Sequence, residues 1–450
     1  MRKSLIVALL AALVAAPAPQ DNTPAVVMIS IDGLMPARYT GNDSARIPRL
    51  RKLMQDGAWA EGVVGVLPTV TYPSHTTLIT GVPPAIHGIV DNRILDPEGR
   101  SNAAWFWYAR QIQVATLVGA VRARGLRTAA VTWPVSVGMD ADYLVPEFWR
   151  STHPESLLLL KALSRPPDLV DTVELAQGKP FDWPQTDRHR TTLTTEILRT
   201  RRPGLLLLHL IELDGAQHQN GPGTPEATAT LEKIDGYVGE VVDAITTAGM
   251  ASRTHVVIVS DHGFLPLDRM LQPNAAFKKE GLITVNDRDA ITDWRAYFHS
   301  SGGSGYVYLK DANDTATRER VGRLLQSLKA DPANGIREIW TREDLVKAGA
   351  HPDAAFGLDV VNGFYTSSGH DVLVRASTSK GGHGFAPDRP ELHASFIIAG
   401  PRLGRRGSLG VIRMTQIAPT LAALLEVGLS PRADQPLPVW APAQALSPRP

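Results

Sequence analysis

The chain contains no cysteine. That absence excludes disulfides, thiolate metal ligands and a lipid-anchored cysteine, so any metal must be held by Asp, Glu and His. It also lacks a charge of one sign: 46 Lys and Arg stand against 45 Asp and Glu. A near-neutral chain carries no general bias toward nucleic acid or an anionic membrane. No Ser/Gly linker, internal repeat or low-complexity block divides the 450 residues. The N-terminal apolar run, Leu5 to Ala16, falls short of the roughly 18 residues of a spanning helix.

That run follows Arg2 and Lys3 and leads into small residues, the layout of a secretory leader. The expectation is a signal peptide over 1–18, with a retained N-terminal anchor as the alternative. The mature protein is then exported, periplasmic or secreted, without a transmembrane domain. A single catalytic domain is expected over 22–430, with a small α+β insertion at about 264–380. The Pro-rich end, 431–450, reads as an extended tail on the surface.

Continuous apolar runs recur: AVVMISI (Ala25 to Ile31), TAAVTW (Thr128 to Trp133), GLLLLHLI (Gly204 to Ile211), HVVIVS (His255 to Ser260) and ASFIIAG (Ala394 to Gly400). Such runs suit strands of a mainly parallel sheet, buried on both faces. Helical patterns separate them. The clearest starts with Thr224 as cap and Pro225 at the first position, and places Leu231, Ile234, Val238, Val241 and Ile245 on one face. Others run near Pro48 to Gln55 and Thr415 to Val427. Residues from about Met139 to Thr191 read as irregular. Alternation of strand and helix gives a layered α/β fold, in which ligands sit beyond the carboxyl ends of the strands.

Acidic and imidazole side chains gather at those ends. They are Asp32 in MISIDG, Asp214 and His218 in LIELDGAQH, Asp261 and His262 in IVSDHG, and His383 in SKGGHG. Zinc accepts imidazole nitrogen and carboxylate oxygen. Asp214 and His218 read as a tight loop turning both groups to one ion, and Gly263 offers a turn that lets Asp261 and His262 share another. For any one cluster, a helix-capping Asp and a packed His is the competing account; four clusters at strand ends argue against it. Thr71 lies in LPTVTYPSHTTLITG, where HTTLITG reads as a helix start whose amides suit a phosphate. His75 and His87 read as loop supports, His209 as core and His393 as a group behind the site. Arg188-His189-Arg190 reads as a solvated charge run.

The segments MISIDG, PTVTYPSHTTLITGVPPAIHGIVDN, ELDGAQH, SDHG and GGHGFAPDRPELHASFIIAGP resemble the nucleotide pyrophosphatase/phosphodiesterase family of the alkaline phosphatase superfamily. The resemblance implies an alkaline-phosphatase-like three-layer α/β/α sandwich and a metal-dependent phosphoric diester hydrolase with two zinc ions. It implies Thr71 as nucleophile and bridging metal ligand. Asp32, Asp261 and His262 would hold one zinc, and Asp214, His218 and His383 the other. Asn92 would donate to a nonbridging phosphoryl oxygen, and Tyr72 would stack on a nucleobase at the pocket mouth. The substrate implied is a small-molecule phosphodiester or nucleotide.

The chain departs from the family where nucleotide-specific members often keep Asn three residues after the nucleophile; here it is Ser74. A sulfatase is disfavoured because Thr71 replaces the modified Cys or Ser and His75 stands at the Arg position. Related monoesterases grip a dianion with Lys and Arg one residue apart, and no Lys-x-Arg occurs here. A phosphomonoesterase or phosphonate hydrolase on the same metals remains the alternative, with a non-catalytic exported binding protein behind it.

Overall fold

The computed structural model describes residues 23–41, 43–101, 104–149, 155–182 and 184–440. The expected leader and residues 441–450 of the expected tail lie outside them. The central sheet contains β1 (Ala25–Ile31), β2 (Ala58–Trp59), β3 (Thr128–Val131), β4 (Tyr143–Val145), β5 (Leu205–Leu210), β6 (Thr254–Val259), β7 (Phe396–Ala399) and β8 (Gly407–Ser408). Their order is β8-β2-β7-β6-β1-β5-β3-β4. β1 lies between β5 and β6, parallel to both, and β3 is parallel to β5 and β4. β7 is the antiparallel member, between β6 and β2.

Period-two alternation in β1 divides the core in two. Ala25, Val27, Ile29 and Ile31 enter one apolar cluster, while Val26 and Met28 enter the other. α1 (Pro48–Asp56), α4 (Asp187–Arg201) and α6 (Pro225–Thr247) bury residues in the first. α2 (Thr71–Thr80), α3 (Leu117–Ala123) and α7 (Ile417–Leu425) bury residues in the second. The result is the expected α/β/α sandwich. α6 begins as read: the Thr224 hydroxyl accepts from the Ala227 amide, with Pro225 at the first turn. Leu231, Ile234, Val238, Val241 and Ile245 are all buried.

The described residues between about 139 and 191 are not all irregular. They hold helices Glu155–Leu163 and Leu169–Gln177 and the start of α4. Their apolar residues form blocks such as the leucine run of ESLLLLKAL instead of repeating at three and four, which hid the helical period.

Residues 265–382 carry two four-stranded sheets, a two-stranded one and three α-helices, the longest Thr315–Ala330, around a separate apolar cluster containing Phe277, Phe298, Leu325 and Leu358. The strand Leu265–Leu271 pairs with Gly381–Gly382, which leads straight into His383. The buried Asp359 carboxylate ties this part to the sandwich side, accepting from the Ala386 amide at 3.0 Å and from Arg389 at 2.6 Å.

The expected surface tail needs correction over its described part. Leu437 and Val439 are buried in the second core cluster, and the Trp440 indole donates to the Thr420 carbonyl at 2.9 Å. Apolar residues between its prolines dock on α7, where the Thr420 hydroxyl also accepts from the Leu437 amide.

Candidate active site

The strand register brings the acidic clusters together. Ile31 sits opposite Leu210 and Ser30 opposite Val259, so the residues that follow β1, β5 and β6 emerge at one sheet edge. Asp32 leaves β1 just before Gly33, whose φ of +71° turns the chain. The Gly33 amide then donates to Asp261 Oδ1 at 3.2 Å, linking the two strand ends. Gly263 acts differently from the expected turn. A Cβ there would lie 2.0 Å from the Glu391 carbonyl oxygen, so the residue allows close backbone approach.

Asp214 and His218 lie on a helix, α5 (Glu212–Asn220), and not in a tight loop. Their four-residue spacing places both on one face. The start of α5 is held by Asp187 of α4, whose buried carboxylate accepts from the amides of Ile211 and Glu212, each at 2.9 Å. Arg190 pairs with Asp187 at 2.8 Å, and Arg188 pairs with Glu240. The Arg188-His189-Arg190 cluster is therefore engaged with carboxylates of the protein.

Two groups result. Asp32, Asp261 and His262 form one, and Asp214, His218 and His383 the other; within each, one potential ligand atom per residue lies within 4.8 Å of the rest. The three imidazoles share one arrangement. His218 Nδ1 donates to the Gly381 carbonyl at 2.9 Å, His262 Nδ1 to Gly263 at 3.2 Å and His383 Nδ1 to Thr69 at 3.1 Å. A carbonyl only accepts, so Nδ1 is protonated in each, and Nε2 faces the carboxylates. His262 Nε2 lies 3.1 Å from Asp261 Oδ2 and 3.4 Å from Asp32 Oδ1. His218 Nε2 lies 3.3 Å from Asp214 Oδ1, and His383 Nε2 3.6 Å from the same atom. The rings of His262 and His383 stack at 3.6 Å, so the two groups adjoin.

These groups suit divalent cations. Asp32 Oδ1, Asp214 Oδ1, Asp261 Oδ2 and His262 Nε2 are buried without hydrogen-bond partners. Burial pushes the Asp32 carboxyl well up, and the nearby Asp261 and Asp214 charges add to this. Burial, with the neighbouring His262 and His218, holds His383 well below the usual imidazole range, neutral as a ligand must be. Buried like charges with unbonded oxygens are costly unless a cation joins them. Backbone carbonyls that fix the imidazole tautomers are the usual outer support of a metal site.

Thr71 is the first residue of α2, four residues earlier than the helix start expected from HTTLITG. Threonines inside this buried helix bond back to backbone carbonyls: Thr76 to Tyr72 and Thr80 to Thr76, each at 2.8 Å. Thr71 lines a cavity of about 590 Å³ together with Asn92, Asp214, His218 and His383. The Asn92 Oδ1 accepts from the Tyr72 amide at 2.8 Å, which leaves the Nδ2 donor for a ligand. The opposite wall comes from residues 299–302 and 365–369 of the insertion, rich in hydroxyls.

Tyr72 is not at the mouth. Its ring is fully buried, its hydroxyl donates to Glu147 Oε1 at 2.8 Å, and it packs 5.2 Å from Trp105. Being second in a buried helix, it faces inward. The cavity aromatic on this side is Trp105, whose ring carries the Arg93 guanidinium at 5.2 Å. Ser74 is also fully buried and does not line the cavity.

Three further histidines bond to the elements that carry the site. His75 Nδ1 donates to the Thr71 carbonyl at 2.8 Å, and its Nε2 accepts from Ser30 at 2.8 Å. Burial, helped by His209, pushes it down to about 3, so it stays neutral. His87 bonds Thr77 and the Ile89 amide. His209 is more than a core residue: it lies between Asp32 and Glu147, at 3.0 and 2.9 Å. The signal was a lone polar residue in an otherwise apolar strand, one residue from its carboxyl end.

A family model, type I phosphodiesterase / nucleotide pyrophosphatase, matches residues 26–385, from β1 through His383. The chain belongs to this family. Ectonucleotide pyrophosphatase/phosphodiesterase family member 1 of Mus musculus is 25% identical over 254 residues, covering 54% of this chain. Family member 3 of Bos taurus is 23% identical over 428 residues, or 91% of this chain. The matched regions span 24% and 43% of those relatives' own lengths. Human ectonucleotide pyrophosphatase / phosphodiesterase 5 has the same fold, with a TM-score of 0.65 at 18% identity, over 90% of this chain and 96% of that one. An inactive threonine-to-alanine variant of the murine protein, solved in complex with AMP, aligns with a TM-score of 0.64 at 17% identity, over 91% of this chain and 96% of that one. The chain therefore shares the fold of these solved structures.

Proposed function

We propose that the chain is a two-zinc phosphodiesterase or nucleotide pyrophosphatase acting through a phosphothreonine intermediate. One observation carries this reading: of two adjoining Asp/His groups with unbonded carboxylate oxygens, one, Asp214 with His218 and His383, lines the cavity together with Thr71, and the other is buried directly behind it. Asp32, Asp261 and His262 would hold one zinc, and Asp214, His218 and His383 the other, with the Thr71 hydroxyl as a further oxygen ligand. Bound zinc supplies Lewis-acid stabilisation of the entering, leaving and phosphoryl oxygens.

The protein's own groups then do the following. The Thr71 oxygen attacks phosphorus, the bond from phosphorus to the leaving oxygen breaks, and the proton lost by Thr71 ends on the departing oxygen. Thr71 now carries the phosphoryl group. Water attacks phosphorus from the vacated side, the bond to Thr71 breaks and the hydroxyl is restored. Two in-line displacements give net retention at phosphorus. Asn92 Nδ2 and the Thr71 amide at the start of α2 donate to nonbridging oxygens, where charge develops. His75 fixes the Thr71 backbone through its carbonyl.

Arg93 is the only Lys or Arg among the described residues lining the cavity. A single cation suits the monoanion of a diester better than the dianion of a monoester. The murine relative's AMP complex supports a nucleotide as substrate. The N-terminal pattern and the naming of the relatives as ectonucleotide enzymes support a reading of the chain as exported. Among the described residues no helix is long and apolar enough to cross a membrane.

The test compares hydrolysis of bis(4-nitrophenyl) phosphate and 4-nitrophenyl phosphate before chelation, after it, and with zinc restored. The diester should be the better substrate, and its hydrolysis should vanish on chelation and return with zinc. Full activity in metal-stripped protein would sink the two-metal reading, and faster monoester turnover would shift the enzyme to a phosphomonoesterase.

A further inference from the structure

A second line of polar residues runs behind Asp32, inside the sandwich. His209 is 1% exposed, in a strand whose other residues, Leu205 to Leu208 and Leu210, are all leucine. Its Nδ1 lies 3.2 Å from the Thr132 carbonyl and 2.9 Å from Glu147 Oε2. Because a carbonyl only accepts, Nδ1 carries a hydrogen. Its Nε2 lies 3.0 Å from Asp32 Oδ2, so an ionised Asp32 receives a hydrogen bond there. Glu147 is itself buried, takes the Tyr72 hydroxyl on Oε1 at 2.8 Å, and donates its amide to Ser136 at 2.9 Å. Tyr72 closes the line: it directly follows Thr71, and its amide holds Asn92 Oδ1.

The arrangement has a cost that packing does not explain. A leucine at position 209 would match the rest of the strand and remove two buried charged contacts, a change that is often neutral or stabilising where a buried ion pair serves no other purpose. What the line does is occupy one oxygen of Asp32. With Oδ2 taken by His209, Oδ1 is the atom left buried and unbonded toward His262.

We propose that His209, Glu147 and Tyr72 form a positioning relay that fixes the Asp32 oxygen offered to the metal and ties it to the Thr71 helix start. This rests on the two-zinc reading. His209 and Glu147 are positioning residues, because neither needs to touch substrate to act.

The test measures zinc affinity of metal-stripped protein by competition with a chromophoric chelator, for the wild type and for His209→Leu, His209→Gln and Glu147→Gln. The wild type should bind two ions. In His209→Leu one ion should weaken by about ten- to a hundredfold, the range for loss of outer support, while the other keeps its affinity. His209→Gln, which retains an N–H donor, should recover part of the loss. Glu147→Gln should weaken the same ion, and its effect should not add to that of His209→Leu, as for members of one network. If His209→Leu fails to fold, His209→Gln and Glu147→Gln decide by the same readout. Wild-type affinity for both ions in His209→Leu, or in both other variants, overturns the relay and leaves the two-zinc reading standing. A wild-type protein that takes up no zinc overturns the functional reading itself.

Discussion

At the scale of single residues, Thr71 is the proposed nucleophile and Tyr72 packs behind it. Thr71→Ala should lose nearly all turnover while keeping its metal, since six Asp and His ligands remain; Thr71→Ser should retain part. Rapid acid quench of the wild type during turnover should yield phosphorylated Thr71, detectable by peptide mass analysis. An alanine variant as fast as the wild type would mean that water attacks directly. Tyr72→Ala should act through stability, because truncating a fully buried aromatic costs about 3–5 kcal/mol. It should lower kcat/KM for a nucleotide diester and a base-free diester alike, and a selective loss of the nucleotide would contradict its burial. Among the candidate ligands, Asp32, Asp261 and His262 were legible because they directly follow the apolar runs that become β1 and β6. Tyr72 was misplaced and His209 undervalued because the direction of a side chain depends on which helix face or strand neighbour meets it, and neither is written in local spacing.

At the scale of elements, the long strands and α6 followed from their sequences. AVVMISI is β1 to the residue, and the Thr224 cap and Pro225 mark the start of α6 as read. α5 was hidden: ELDGAQHQN has no apolar stripe, and buries only Leu213 and Gln217. What starts it is Asp187, distant in sequence, on the amides of Ile211 and Glu212. Asp187→Ala should therefore loosen the helix carrying Asp214 and His218. Charge-assisted hydrogen bonds of this kind contribute about 1.5–3 kcal/mol each. The variant should melt earlier and release the ion of the Asp214 group more readily, while the ion held by Asp32, Asp261 and His262 stays. Equal release of both ions would show that α5 is held by its packing alone.

For the whole molecule, three layers and an inserted α+β part converge on one cavity, so stability and site share buried polar groups. Burial holds His87 down to about 3 and His255 down to about 4, so both are neutral in the folded state. Unfolded histidines titrate near 6.5, so below that value the unfolded chain binds more protons than the folded one. Stability should be fully present above about pH 6.5 and fall as pH drops toward the folded values. Denaturant midpoints of metal-free protein should decrease from about pH 7 to about pH 5. His87→Asn, which keeps an acceptor for the Ile89 amide, should flatten that decrease; an unchanged slope would assign it elsewhere. The central claim is that two ions sit between the strand ends and Thr71. Anomalous diffraction at the zinc edge from crystals of zinc-loaded protein tests it most directly. Two peaks should appear, one among Asp32, Asp261 and His262 and one among Asp214, His218 and His383, both bordering Thr71; a single peak, or none at these residues, would contradict it.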